Sequence, residues 1–509
     1  MFRKTLFEAF QHQVHSRPDA TALLLDSPQN TAYKCSWHAL AVVVKHAADR
    51  IENQLARDAA LYRRVMHLSD NSDADLVIAL ASLALGTTEA PLDRRIETTE
   101  LLRRRKQISG VWIDDNFKRQ LSLKLHDAAS QPSTTDTNPV ALRDIDEFSF
   151  YNRLRQPSEA ASLILWTSGT TSEPLAVLLS AESLLSNAAA KLKAVPQEHS
   201  DIRLTVLPLS HAYARTCDFG TWLLSGCTLA VCLGYQNMLR RIQHLEPNLI
   251  NTVPTLARRM LREMPKNLSQ LRLLGCGGAP LDRSSFKEWN ALGVTVIQGY
   301  GLTETGPVIC SATPSNAAPG LVGKPVDGWE TAVKDGQLFV RGPHTMLGYL
   351  GQPEATQIRM AADGWLATGD LVERDKTTQQ LRVMGRVDDV IVLASGCKLY
   401  PAAVERDIEQ IDGIQHALLH HGKSLELWLN LDSEIELKAV QQQALKVLAK
   451  RPTAINCTLR EFRPSLSIES GELTAKGTIR RGRIVQARLS KHVCPSTSVQ
   501  ARLTNQAGS

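Results

Sequence analysis

The chain reads as a layered α/β protein. It has a large N-terminal domain that carries a small β subdomain, followed by a smaller α+β C-terminal domain. Three observations lead there. At 509 residues the chain is too long for a single hydrophobic core. Short β-like runs alternate with segments of helical period, the pattern of an α/β layer structure. Three β-like runs then end in Gly- or Pro-rich bends, and ligands in α/β sheets bind beyond such strand ends.

The elements follow in order. Leu6, Ala9 and Phe10 repeat at helical spacing, as do Leu40, Val43, Val44 and Ala47. Arg64 to Leu68 reads as a strand. An apolar helix follows from about Ala74 to Leu85, and Gly86 stands where a helix end needs a positive φ. Residues 100–157 carry polar stretches, such as Ser130 to Asn138, that read as a surface excursion. Ala161 to Trp166 is an apolar run long enough for one buried strand. Further strands are expected at Ile202–Leu209, Thr228–Leu233 and Leu249–Val253, with a helix at Thr255–Glu263. Leu271–Leu274 enters the bend Gly275–Pro280, a helix begins near Asp282, and Val294–Ile297 enters Gln298–Gly301. From about Gly320 to Arg386 short strands and turns form the β subdomain. After Arg386 come a helix at Pro401–Ile411 with Pro at its start, strands at Ile414–Leu419 and Leu425–Leu431, and a helix at Glu434–Ala449. The expected domains are therefore 1–386, with the β subdomain at about 320–386, then 387–490, then a flexible tail at 491–509.

Composition narrows the function. There are 58 Lys and Arg against 52 Asp and Glu, a net charge of +6, with no long basic tract. Nucleic-acid binding is not indicated. The densest run, Arg103-Arg104-Arg105-Lys106, reads as a solvated helix face. Nine Cys are scattered without a C-x-x-C pair, as expected for reduced thiols in the cytoplasm. No apolar run is long enough to cross a bilayer; peripheral membrane contact stays open.

The central stretch is ASLILWTSGTTSEPLAVLLS, residues 161–180. Its strand breaks into Thr167-Ser168-Gly169-Thr170-Thr171-Ser172-Glu173-Pro174. Gly permits close backbone approach, turn N–H groups form a nest, and hydroxyls add donors, so the loop is suited to an anion. Taken alone, the same composition also suits an ordinary surface loop. The second string is Gln298-Gly299-Tyr300-Gly301-Leu302-Thr303-Glu304-Thr305-Gly306. It offers glycines for close approach, a ring face on Tyr300 for a purine, and a hard oxygen on Glu304 for Mg²⁺, though as a local pattern alone an ordinary glycine turn is the better reading.

The first loop resembles the T-S-G-T-T-G-x-P-K-G signature of the AMP-forming adenylating enzymes, which include acyl-CoA synthetases, adenylation domains and luciferases. Thr167 to Thr171 and Pro174 match; Ser172, Leu175 and Ala176 replace the usual Gly, Lys and Gly. The second string is a hallmark of the same family. The resemblance implies that Tyr300 packs on adenine, Thr303 reaches the α-phosphate and Glu304 holds Mg²⁺. It makes Asp370, in Thr368-Gly369-Asp370, the ribose ligand, and places Arg386 on the ribose and phosphate side. Asp388 becomes the hinge of a mobile C-terminal domain. Gly278-Ala279-Pro280 becomes the adenine-side bend, and His211, in Pro208-Leu209-Ser210-His211, a gate of the acyl pocket. Ser395-Gly396 would border the passage for the thiol. These strings cover roughly residues 160–405 in the family's order.

Two departures stand out. Leu175 removes a mobile cation beside the triphosphate. In Gly471-Glu472-Leu473-Thr474-Ala475-Lys476-Gly477-Thr478-Ile479-Arg480-Arg481, Thr478 stands where the family carries the Lys that bonds carboxylate and α-phosphate. Lys476 lies two residues earlier and is the candidate substitute, with Arg480 or Arg481 as the other candidate sources of charge. A preorganised donor of this kind is worth roughly 3–4 kcal/mol.

The resemblance implies ATP-dependent activation of a carboxylic acid, with a fatty acid expected, to acyl-AMP. CoA or a carrier-protein phosphopantetheine would then take the acyl group. One alternative is an adenylation-only enzyme that hands acyl-AMP to a partner; another, raised by Thr478, is a homologue that binds without turnover.

Overall fold

The computed structural model describes residues 5–26, 32–58, 62–130, 161–167, 173–263, 268, 270–393, 398–422, 424–432, 434–449, 455, 457–467, 470–473, 479–489 and 499–500. These fall into two compact units. The larger takes the chain up to Thr167, Leu175–Thr331 and Val340–Leu366; the smaller takes Ala332–Phe339 and the chain from Ala367.

The larger unit holds two sheets. The first is nine-stranded, in the order Lys324–Pro325, Val308–Ser311, Thr295–Gly301, Leu273–Cys276, Leu249–Thr252, Ile202–Thr205, Thr228–Val231, Thr21–Leu25, Tyr33–Ser36. From Thr295–Gly301 to Thr21–Leu25 every neighbour is parallel. Buried parallel strands need apolar side chains on both faces, which is why Leu249–Thr252 and Leu273–Cys276 are buried throughout. The helices Pro254–Glu263 and Arg283–Ala291 supply Ala257, Met260, Phe286 and Trp289 to the same core as Leu274 and Val296.

The second sheet runs Gly348–Tyr349, Ala176–Ser180, Ala161–Trp166, Thr88–Asp93, Arg64–Ser69, Val111–Ile113. The helix Asp73–Leu85 follows one of its strands. Apart from Asp73, Asp75 and Ser82 it is apolar around its circumference, and it is accordingly buried. Gly86 ends it at φ 62°, as the sequence suggested. Trp37 stacks on Trp222 with centroids 5.0 Å apart.

Helices Thr98–Ile108 and Asp115–Ser130 flank the strand Val111–Ile113, and the polar stretch after Ser130 lies outside the described residues. Two expectations change. The basic run is not wholly solvated. Arg104 is buried, with its guanidinium 4.9 Å from the Trp166 ring centroid and its Nε on Glu100 at 2.5 Å, because a planar weakly hydrated cation stacks well on indole. Finally, Gln298–Gly301 is not a bend. The Thr295–Gly301 strand runs through it, since Val308–Ser311 pairs with it antiparallel.

Charge is buried at the second sheet. His67 lies 3.0 Å from Glu89 and 3.4 Å from Asp75. Lys118 reaches Asp75 at 2.7 Å, and Arg215 pairs with Glu89. Burial alone would lower the His67 pKa, but the hydrogen bonds and charges of Asp75 and Glu89 outweigh it and raise the value above the ordinary 6.5. A raised folded pKa stabilises fully below the unfolded value, and the benefit disappears as pH rises through the folded value. We therefore expect the unfolding temperature to fall above about pH 6.5, and His67→Gln to flatten that slope. An unchanged slope in the variant would mean that His67 is neutral in the fold.

In the smaller unit, Leu366–Arg374 and Leu381–Arg386 form an antiparallel hairpin. A separate four-stranded sheet runs Ile414–His421, Leu425–Leu431, Thr458–Glu461, Val499–Gln500. Val499–Gln500, in the stretch expected to be a flexible tail, pairs with Thr458 and Leu459. Helices Pro401–Ile408 and Leu437–Ala449 share its core through Val404, Ile408, Val440 and Leu448.

Candidate active site

In the nine-stranded sheet the chain passes from Ile202–Thr205 to Thr228–Val231 on one side, then returns to Leu249–Thr252 on the other. The reversal opens a crevice at the carboxyl ends of those strands. Pro208–His211 follows one lip. Asn71 braces it: its amide donates to the carbonyls of Thr205 at 3.2 Å and Cys232 at 2.7 Å, and its Oδ1 accepts from Leu209 N at 3.2 Å. Beyond the other lip, Cys276 and Gln298 are register partners on adjacent parallel strands. The Gly278-Ala279-Pro280 bend and the Gly299-Tyr300-Gly301 strand end are thereby brought side by side. Asn251, on the lip strand, donates to Asp218 at 2.6 Å, beside Arg203 at 2.5 Å. Burial pushes Asp218 up to about 6 despite both contacts.

The glycines serve the protein's own packing. A Cβ on Gly301 would stand 1.7 Å from the Pro307 carbonyl oxygen, and one on Gly275 1.9 Å from Asn251 Oδ1. No side chain fits at either point.

Thr303 and Glu304 follow on a single turn, Thr303–Thr305. Glu304 is buried. Tyr349 Oη donates to its Oε1 at 2.8 Å, and Arg359 Nη2 lies 3.7 Å from the same oxygen. Its backbone carbonyl accepts from Met346 N at 2.8 Å. Burial, then the Glu304 charge, pushes the Tyr349 hydroxyl pKa upward. Tyr349 thus stays protonated and remains a donor.

Thr167 closes the hairpin at the mouth of the signature loop. Its N–H donates to Leu175 O at 3.0 Å, and its hydroxyl accepts from Leu175 N at 3.0 Å. Ser168, Gly169, Thr170 and Thr171 lie outside the described residues. His211 Nε2 is 3.3 Å from Asp93 Oδ2. Burial would raise the Asp93 carboxyl, but hydrogen bonds from Arg95 and His211 hold it well below the usual carboxylate range.

In the smaller unit Asp370 and Arg386 are cross-strand partners. Arg386 Nη1 donates to Asp370 Oδ1 at 3.1 Å and to Thr368 O at 3.2 Å, while Thr368 Oγ1 accepts from Asp370 N at 3.1 Å. Asp388 is exposed on the turn Val387–Asp389. The neighbouring Asp389 faces Arg481 at 3.5 Å, and Arg481 also holds buried Glu405 at 2.7 Å. Ser395, Gly396, Lys476 and Thr478 lie outside the described residues.

Tyr349, Arg359, Asn71 and Asp93 were not singled out from the sequence. Each acts through a partner distant in the chain, so no local spacing marks it.

Residues 10–350 match the profile of a family described as AMP-binding enzyme, more than half of the chain. The chain belongs to that family. As an AMP-binding enzyme it is 26% identical over 472 residues to a 2-succinylbenzoate–CoA ligase of Enterococcus faecalis, covering 87% of this chain and 93% of that protein. It is 28% identical over 474 residues to MmaC of Mycobacterium marinum, a fatty acid–[acyl-carrier-protein] ligase, covering 81% and 83%. The ATP-bound structure of MatB from Rhodopseudomonas palustris superposes with a TM-score of 0.77 at 21% identity, covering 95% and 99%, and so shares the fold. This AMP-binding enzyme is therefore an AMP-forming acid–thiol ligase with the α/β fold expected from its sequence. Among the described residues no helix is long and apolar enough to cross a membrane.

Proposed function

We propose that this enzyme activates a fatty acid with ATP and passes it to the thiol of CoA or of a carrier protein's phosphopantetheine. A carboxylate oxygen attacks the α-phosphorus, and the bond to pyrophosphate breaks. The thiolate then attacks the acyl carbon, the carbon–oxygen bond breaks, and AMP leaves. The reading rests chiefly on the adjacent strand ends that carry Gly278–Pro280, Tyr300, Thr303 and Glu304.

In this reading Tyr300 stacks on adenine and Thr303 meets the α-phosphate. The loop Thr167–Thr171 surrounds the triphosphate, His211 gates the acid's entry, and Asp370 with Arg386 takes the ribose. Glu304 suits Mg²⁺. Its Oε2 has no protein partner among the described residues, which also hold no cluster of three or more His, Cys, Asp or Glu able to bind a metal. A single carboxylate fits an ion that keeps waters and phosphate oxygens as its other ligands; once bound, Mg²⁺ would neutralise phosphate charge there. Asp388 serves as the hinge of the 387–490 domain, and Ser395-Gly396 admits the thiol. The buried thiols among the described cysteines, none in a disulfide, support a cytoplasmic setting.

The acid is tested with free acids from acetate to palmitate and aryl acids, trapping the adenylate with hydroxylamine. Alkanoic acids of medium or long chain should give most hydroxamate, and thioester should appear with CoA or a carrier thiol. A preference for aryl acids would refute the fatty-acid part alone. Hydroxamate without thioester from either acceptor would favour the adenylation-only alternative.

Leu175 and Thr478 favour slow adenylation supported by Lys476. Lys476→Ala should then reduce pyrophosphate release about 10²-fold, and Thr478→Lys should increase it. If neither variant changes the rate, Lys476 is not the substitute. Absence of ATP–pyrophosphate exchange for every acid would indicate a homologue that binds without turnover.

A further inference from the structure

We infer that Arg359 supplies the phosphate-binding cation that the signature loop lacks at Leu175. The inference rests on the reading above, in which that loop and Glu304 meet the triphosphate. Leu175 and Arg359 adjoin the same short strand, Gly348–Tyr349. Leu350 N donates to Ala176 O at 2.8 Å, next to Leu175, and Gly348–Tyr349 pairs with Val177 and Leu178. The helix Pro353–Arg359 starts just beyond and is pinned to that strand, because Thr356 Oγ1 accepts from Tyr349 N at 2.9 Å. Its final residue carries the guanidinium toward Glu304.

The guanidinium is only partly committed there. It forms a long ion pair with Glu304 Oε1 at 3.7 Å, beyond hydrogen-bond range, and contacts the Tyr349 hydroxyl, which itself donates to that oxygen. Arg359 Nε is buried with no hydrogen-bond partner among the described residues. A planar cation with unused donors, set beside the candidate metal carboxylate, matches the bidentate geometry of a phosphate. The family's Lys is a point charge on a loop; here a helix end delivers a charge of the same sign from the other side of the strand.

Calorimetric titration with ATP and with AMP, without acid or thiol, tests the assignment. Arg359→Ala should weaken ATP about 10–100-fold and leave AMP unchanged, because the lost contact is to phosphates that AMP lacks. Arg359→Lys should recover part of the loss. Leu175→Lys placed in the Arg359→Ala background should restore ATP binding by returning the cation to the loop. Unchanged ATP affinity in Arg359→Ala would overturn the assignment. So would equal weakening of ATP and AMP, which would show that Arg359 only supports the fold. Failure of the unaltered protein to bind either nucleotide would instead reject the site itself.

Discussion

Glu304→Gln should reduce hydroxamate-trapped adenylate about 10²–10³-fold, the usual cost of removing one preorganised charge-stabilising group. The substitution is chosen for what it keeps. Gln presents a carbonyl oxygen where Oε1 now accepts from Tyr349 Oη at 2.8 Å, and the backbone contact to Met346 N is unaffected. The turn Thr303–Thr305 should therefore persist and the unfolding temperature should stay close to that of the parent. What is lost is negative charge on a side chain only 8% exposed, where a hard cation gains most from it. The apparent Mg²⁺ requirement should rise along with the loss of rate. A variant with full adenylation rate and unchanged Mg²⁺ dependence would remove Glu304 from the metal site.

The largest effect on stability is expected from Glu89→Ala. Glu89 is the shared partner of His67 and Arg215, and all three side chains are 5% exposed or less. Deleting one member of a buried ion pair leaves the other charged and unsolvated, at about 3–5 kcal/mol. Arg215 also lies 4.7 Å from the Phe219 ring centroid, within the short helix that follows the His211 turn. Losing its anchor should therefore disturb the crevice as well as the sheet. Differential scanning fluorimetry would report the shift. The double variant Glu89→Leu with Arg215→Met should recover much of the loss, since hydrophobic replacement of a buried pair is often close to neutral. A shift of less than about 1 kcal/mol for Glu89→Ala would show that the network does not carry the packing.

Much of the fold was legible because local rules act on neighbouring residues. The mostly apolar Ala74–Leu85 segment reads as a buried helix, Gly86 as its end with a positive φ, and Pro401 as the start of another. The motif strings were legible for the same reason. Each is a short run whose residue types answer to one ligand group, so their order alone points to the family. Arg104 was misread because its exposure depends on Trp166, which lies outside its helix. The strand through Gly299–Gly301 was misread as a bend because its pairing partner comes later in the chain.

The sequence by itself determined the family, the α/β layering and the residues available to meet a nucleotide, since all of these depend on residue type and on spacing within a few turns. Only the tertiary structure decided how those residues are held. Glu89 meets Arg215 across 126 residues and Tyr349 meets Glu304 across 45, and the absent side chain of Gly301 accommodates the Pro307 carbonyl rather than a ligand. Such contacts are set by which strands lie side by side in a sheet, an outcome of the whole chain's packing that no local window contains.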